Sequence, residues 1–132
     1  MTDNSAVGAM KVLIVEDEAV NRKIMVSILS RFVKEVREAH DGFDALDVLK
    51  SFEPDVLITD LNMPRLDGLS LIRELRLQGK TYPIFVLSAY NEQGMLETAG
   101  SLGATRFLFK PVKIALVQEA LAEAALLLRK TD

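Results

Sequence analysis

The sequence predicts an α/β fold built on a doubly wound parallel sheet. Three observations carry this: five short apolar runs, helix-period stretches between them, and the strict alternation of the two. The runs are Val12–Val15, Val36–Ala39, Val56–Thr59, Ile84–Leu87 and Arg106–Phe109. Each is too short for a helix, and runs rich in Val, Ile, Leu and Phe with little polar alternation read as strands covered on both faces. Between them Val20, Ile24, Ile28 and Phe32 step by four, and Leu69, Ile72 and Leu75 by three, which is the spacing of crossover helices packed on the sheet. The last stripe, Leu116, Ala120, Leu121, Ala124 and Leu128, follows Pro111, a residue suited to a helix's first turn.

Strand then helix, five times, requires right-handed crossovers with helices on both faces. The result is a three-layer (βα)5 sandwich of flavodoxin-like type, with the five-stranded parallel sheet in the order 2-1-3-4-5. Gly42, Gly68 and Gly103 fit turns. Residues 1–9 read as a flexible tail ahead of a single domain over 10–130, with no internal repeat or low-complexity tract.

Composition narrows the chemistry. The chain has 132 residues, 49% hydrophobic and 27% charged, enough for one core without staples. A cysteine count of 0 removes thiolate zinc, iron–sulfur and cysteine-nucleophile chemistry, and a His count of 1 removes imidazole clusters. His40, just after the second strand, reads as a surface loop residue. The 19 Asp and Glu leave oxygen-ligand chemistry open. A net charge of -3 argues against direct nucleic-acid binding. Met1 to Met10 lacks the pattern of a signal peptide, and no run approaches the ~18 apolar residues of a membrane span, so a cytoplasmic protein without membrane contact is expected.

In a sheet of this order, ligands bind beyond the carboxyl ends of the strands, at the switch point between strands 1 and 3. Strand 1 ends in Glu16-Asp17-Glu18, strand 3 in Asp60-Leu61-Asn62, strand 4 in Ser88-Ala89 and strand 5 in Lys110-Pro111. Glu16, Asp17 and Asp60 would converge there, and three close carboxylates repel one another unless a cation intervenes. Mg²⁺, which keeps several waters and needs no wrapping loop, fits better than Ca²⁺. Asp17 and Ser88 have an equal alternative, since either can cap the helix that follows. Asp60 is badly placed to cap, because Pro64 and Asp67-Gly68 put the next helix several residues later. Lys110 follows an apolar strand at the same sheet edge as the acids, which favours a site role over a solvated surface amine.

Taken together, Leu13-Ile14-Val15-Glu16-Asp17-Glu18, Asp55 to Pro64, Asp67-Gly68, Ser88-Ala89 and Lys110-Pro111 resemble, in order and spacing, the receiver domain of two-component response regulators, from about Met10 to Arg129. The resemblance implies that Asp60 is the phosphoacceptor, that Glu16 and Asp17 hold Mg²⁺ with the Asn62 carbonyl as a further ligand, and that Ser88 and Lys110 contact the phosphoryl group. It further implies that Asn62 and Tyr90 flank the path of water to the phosphate. Phe107 stands where the family's switch aromatic is often Tyr, so a hydroxyl-dependent switch is lost and a steric one remains.

The partners implied are a sensor histidine kinase or histidine phosphotransfer protein upstream and an effector downstream, with homodimer formation left open. The effector would dock on the face formed by the fourth helix, fifth strand and fifth helix. Gly94 and Gly100 make the fourth helix, expected over Asn91–Leu102, the softest element. No effector domain is expected within the chain, which is either a stand-alone receiver or part of a longer regulator or hybrid kinase. The alternatives are a phosphatase of haloacid-dehalogenase type, disfavoured because Asn62 stands where a second Asp would act as acid and base; a flavodoxin-type electron carrier, whose flavin phosphate the Glu16-Asp17-Glu18 loop would repel; and a docking receiver that is never phosphorylated.

Overall fold

The structure, a computed structural model, describes residues 4–89 and 93–130. Five strands, β1 (Lys11–Val15), β2 (Glu35–Ala39), β3 (Val56–Asp60), β4 (Ile84–Ser88) and β5 (Arg106–Phe109), alternate with five helices, α2 (Ala19–Leu29), α3 (Gly42–Val48), α4 (Gly68–Leu77), α5 (Gln93–Leu102) and α6 (Ile114–Lys130). A short helix, α1 (Asn4–Gly8), precedes them. All strand pairings are parallel, in the order β2-β1-β3-β4-β5 expected from the sequence.

Side chains alternate across the sheet because successive residues of a strand face opposite ways. Val12, Ile14, Val56, Ile58 and Leu108 face α1, α2 and α6, whereas Leu13, Val15, Leu57, Ile84 and Val86 face α3, α4 and α5. The central strands β3 and β4 are buried at every position, while edge strand β2 is mostly not, which explains its polar residues Glu35, Arg37 and Glu38. Three helices start on a carboxylate that accepts from their unpaired backbone N–H groups: Glu18 for α2, Asp41 for α3 and Asp67 for α4.

Two expectations differ from what is found. In α2, Val20 and Ile24 are 63% and 52% exposed; of the expected stripe Ile28 and Phe32 are partly buried against the core, and the fully buried contacts come from Met25, Leu29 and, just beyond the helix, Val33. That row lies one position round from the expected stripe. The apolar arc of the helix is wide enough to hold both rows, and the expected one is buried only towards its C-terminal end. Within the expected tail, residues 4–8 are helical, and Val7 and Met10 are buried in the α2/α6 side of the core. Ala6, Val7 and Met10 give this segment an apolar side, and burying it offsets the ordering cost.

The register sets up the site. Val15 pairs with both Ala39 and Thr59, Asp60 with Leu87, and Ser88 with Phe109. The carboxyl ends of β1, β3, β4 and β5 are therefore level, and Glu16, Asp60, Ser88 and Lys110 emerge along one edge.

Candidate functional site

Asp60, the last residue of β3, is 5% exposed. Its Oδ2 accepts from Lys110 Nζ at 2.6 Å and its Oδ1 from the Asn62 backbone N–H at 3.3 Å. Lys110 is carried to this position by the end of β5, where its own N–H donates to the Ser88 carbonyl at 2.8 Å. The loop after Asp60 is drawn in by Gly68, whose N–H donates to the Leu61 carbonyl at 3.0 Å. A Cβ at Gly68 would lie 2.2 Å from the Asp60 carbonyl oxygen, so only glycine permits this close approach.

Glu16 and Asp17 follow β1. One carboxylate oxygen from each of Glu16, Asp17 and Asp60 lies within 4.8 Å of the others. Glu18, and not Asp17, caps α2 by accepting from the N–H groups of Val20 and Asn21, and Asp17 lies exposed beside Glu16 and Asp60. Glu16 is buried. Its Oε1 accepts from the Glu18 N–H at 3.3 Å, while Oε2 has no hydrogen-bond partner among the described residues. Burial, reinforced by the neighbouring Asp60 carboxylate and opposed by Lys110, pushes the Glu16 carboxyl up to about 7. A buried carboxylate oxygen without a donor, in a cluster of acids, is what a hard cation with oxygen preference would satisfy. The donor set fits Mg²⁺.

Ser88 is buried at the end of β4, and its Oγ donates to the Ala89 carbonyl at 3.1 Å. Phe107 is half-buried against the α3–α5 side of the core, its ring edge 3.9 Å from where a Cβ on Gly100 would stand. Tyr90 lies outside the described residues. The structure thus brings Glu16, Asp17 and Asp60 together, with the Asn62 N–H and the Lys110 ammonium bonded to Asp60, Ser88 joined to Lys110 through its backbone carbonyl, and Phe107 on strand β5. His40 is a largely exposed loop residue bonded through Nδ1 to Asp44 at 2.6 Å. Sequence reasoning missed Arg22, whose guanidinium donates to the Glu16 carbonyl at 2.8 Å and pairs with Glu38 at 3.1 Å. A single Arg on a helix carries no sequence signal for such a contact.

An acidic cluster at the switch point, with an ammonium held against a strand-end aspartate, can hold a hard cation beside a strand-end carboxylate. The response regulator receiver domain family model matches residues 12–122, and the chain belongs to that family. It is 39% identical over 122 residues to Response regulator MprA of Mycobacterium avium (strain 104), covering 92% of this chain and 52% of that protein. It is 41% identical over 103 residues to Regulator of RpoS of Escherichia coli (strain K12), covering 78% and 31% respectively. The chain therefore spans about half the length of the first of these relatives and less of the second. Among solved structures, the N-terminal domain of an uncharacterized protein from Wolinella succinogenes superposes with a TM-score of 0.87 at 32% identity, covering 94% of this chain and 100% of that one. The receiver domain of a sensor histidine kinase from Pseudomonas aeruginosa, solved with a magnesium ion coordinated in its active-site cleft, gives 0.79 at 32%, covering 89% and 98%. Among the described residues, no helix is long and apolar enough to cross a membrane.

Proposed function

We propose that Asp60 accepts a phosphoryl group from a phosphohistidine on a sensor histidine kinase or histidine phosphotransfer protein, and that the resulting aspartyl phosphate switches the binding of a downstream partner. The observation that carries this reading is the 2.6 Å contact between Lys110 and Asp60 inside the acidic cluster. A carboxylate is a weak nucleophile, so transfer depends on aim and on offsetting the charge of the incoming group. Asp60 oxygen forms the new O–P bond as the N–P bond to the histidine breaks; the imidazole leaves with that electron pair and takes up a proton. Mg²⁺ held by Glu16, Asp17, Asp60 and the Asn62 carbonyl supplies neutralisation of the phosphoryl oxygens when bound. Lys110 stands against the carboxylate and counters the remaining charge, while the Ser88 hydroxyl turns from the Ala89 carbonyl to donate to a phosphoryl oxygen.

That turn links chemistry to output. As Ser88 moves toward the phosphate, Phe107 fills the vacated space and changes its packing against α5. The effector then reads the face of α5, β5 and α6. Gly94, with no described residue within 4 Å of where its Cβ would stand, and Gly100 keep α5 easy to reshape. Hydrolysis of the aspartyl phosphate, with Asn62 and Tyr90 controlling water, returns the domain to rest.

The donor protein sits on the exposed side of α2. A groove of about 230 Å³ runs beside the site, with Ile24, Ile28, Pro111 and Val112 as apolar walls and Glu16 and Lys110 at its polar end. A donor surface lying over this groove would bring its phosphohistidine to the Glu16 and Lys110 end, beside Asp60. The test of the function is the mass of the protein after incubation with acetyl phosphate and Mg²⁺: a gain of one phosphoryl group in the wild type and none in Asp60→Asn. An unchanged wild-type mass, or equal labelling of both proteins, would overturn the proposal.

A further inference from the structure

The loop from Leu61 to Asp67 connects the proposed phosphoacceptor to α4, and its grip on the rest of the molecule lies at the β2–α3 corner. Arg65, in that loop, has φ 65, the left-handed region that a residue with a Cβ rarely adopts. Its guanidinium pairs with Asp41 Oδ2 at 3.1 Å and lies 5.1 Å from the centroid of the Phe43 ring. Asp41 is 2% exposed, and its other oxygen caps α3 by accepting from the Asp44 N–H at 2.7 Å. The His40 imidazole stands 3.8 Å from the same Oδ2. One residue further on, the Leu66 carbonyl accepts from the Gly42 N–H at 2.9 Å, and a Cβ at Gly42 would lie 2.4 Å from that oxygen.

The geometry points to Arg65 as a positioning residue for the phosphoacceptor site: its bond to buried Asp41 latches the loop to the β2–α3 corner and so fixes Asn62 beside Asp60. A residue would leave the left-handed region if nothing held it there, so the retained conformation needs an external contact. The ion pair supplies one: Asp41 is buried while Arg65 is 60% exposed, so the pair is partly screened by solvent, and among the described residues no other charged group lies as close to Asp41. Between the latch and Asp60 run only Leu61, Asn62, Met63 and Pro64, with Leu61 and Met63 buried, so a shift at Arg65 has little slack to absorb it. Asn62 donates to Asp60 on one side and offers its carbonyl to the cation on the other, and this second role rests on the function proposed above.

The test compares wild type, Arg65→Gly, Arg65→Lys and Asp41→Asn by Mg²⁺ calorimetry, by acetyl phosphate labelling rate at saturating Mg²⁺ and by thermal unfolding. Glycine accepts φ 65 without strain, so Arg65→Gly reports the side chain alone. It should weaken Mg²⁺ binding and slow labelling roughly tenfold, the lower end of what losing an outer-shell partner costs a metal site. Arg65→Lys, which keeps the charge, should recover most of both. Asp41→Asn, which keeps an acceptor for the Asp44 N–H, should fall in the same direction, and the double variant should be no worse than the poorer single one. A lowered unfolding temperature with Mg²⁺ affinity and labelling rate at wild-type values would make Arg65 merely structural and overturn the latch. A wild type that binds Mg²⁺ but takes no label would overturn the proposed function instead, and the Mg²⁺ arm would still decide whether Arg65 positions the loop.

Discussion

Lys110 Nζ is bonded to Asp60 Oδ2 at 2.6 Å across the carboxyl ends of β5 and β3, so the ammonium lies directly against the carboxylate proposed as the phosphoacceptor. With Lys110→Ala, the acidic cluster loses a neighbouring positive charge, and Mg²⁺ affinity should be retained or raised. Labelling by acetyl phosphate should nevertheless fall about 100-fold, the scale set by removing one charge-stabilising group from a transition state. Calorimetry and a labelling time course check the two halves separately. Parallel losses in both would mean that Lys110 organises the cation site rather than the transferred group.

The raised Glu16 carboxyl makes a prediction about pH. The unfolded chain releases this proton near the ordinary value of 4.5, whereas the folded protein holds it until about 7. Without metal, the folded state therefore binds the extra proton between those values, and the stability it contributes is complete below 4.5 and lost as pH rises through 7. Glu16→Gln, which cannot titrate, should remove this slope from urea midpoints measured across pH 4.5 to 7.5. Mg²⁺ must displace the same proton, so its apparent affinity should weaken by about tenfold per pH unit below 7. An affinity flat between pH 5.5 and 7.5 would contradict this.

How much of this could be read from residues alone follows from what each residue contributes. Val12–Val15, Val56–Thr59 and Ile84–Leu87 announce buried strands because both of their faces are covered, and the order of the strands then places Glu16, Asp60, Ser88 and Lys110 on one edge. The strand starts at Lys11 and Glu35 are less legible because their side chains are partly exposed while their backbones are paired. The buried face of α2 was not legible, since Val20 and Ile24 are as apolar as Met25 and Leu29 and only the sheet's shape chooses between the rows. Nor was the link from Arg65 to Asp41, which depends on a left-handed backbone and on two loops meeting far apart in sequence.

Glycines at two places should behave oppositely when replaced by alanine. At Gly68 the new Cβ would meet Asp60 backbone at 2.2 Å, so Gly68→Ala must push the loop from the acceptor strand, costing about 1–3 kcal/mol and most of the labelling rate. At Gly94 no atom of the described residues lies within 4 Å of the new Cβ, and Gly94→Ala should stabilise α5 by up to about 1 kcal/mol through lower unfolded-state entropy. Hydrogen exchange should then slow across α5, and the change in protection produced by beryllofluoride should shrink. Equal exchange in both proteins would remove α5 softness from the account of switching.

The exposed row of α2 separates protein donors from small ones. Ile24 is half-exposed and contributes little to the sheet-facing core, so Ile24→Ala should change folding stability by no more than about 0.5 kcal/mol. Its side chain nevertheless walls the groove that ends at Glu16 and Lys110, and a donor surface lying there would cover it. Removing an apolar anchor from the middle of an interface costs on the order of 1–2 kcal/mol, or about tenfold in affinity. Transfer from a phosphorylated histidine phosphotransfer protein to Ile24→Ala should therefore slow about tenfold below saturation and recover at high donor concentration. Labelling by acetyl phosphate, which needs no protein surface, should match the wild type. If both donors slow together, Ile24 supports the site itself; if neither slows, the donor approaches Asp60 over a different surface.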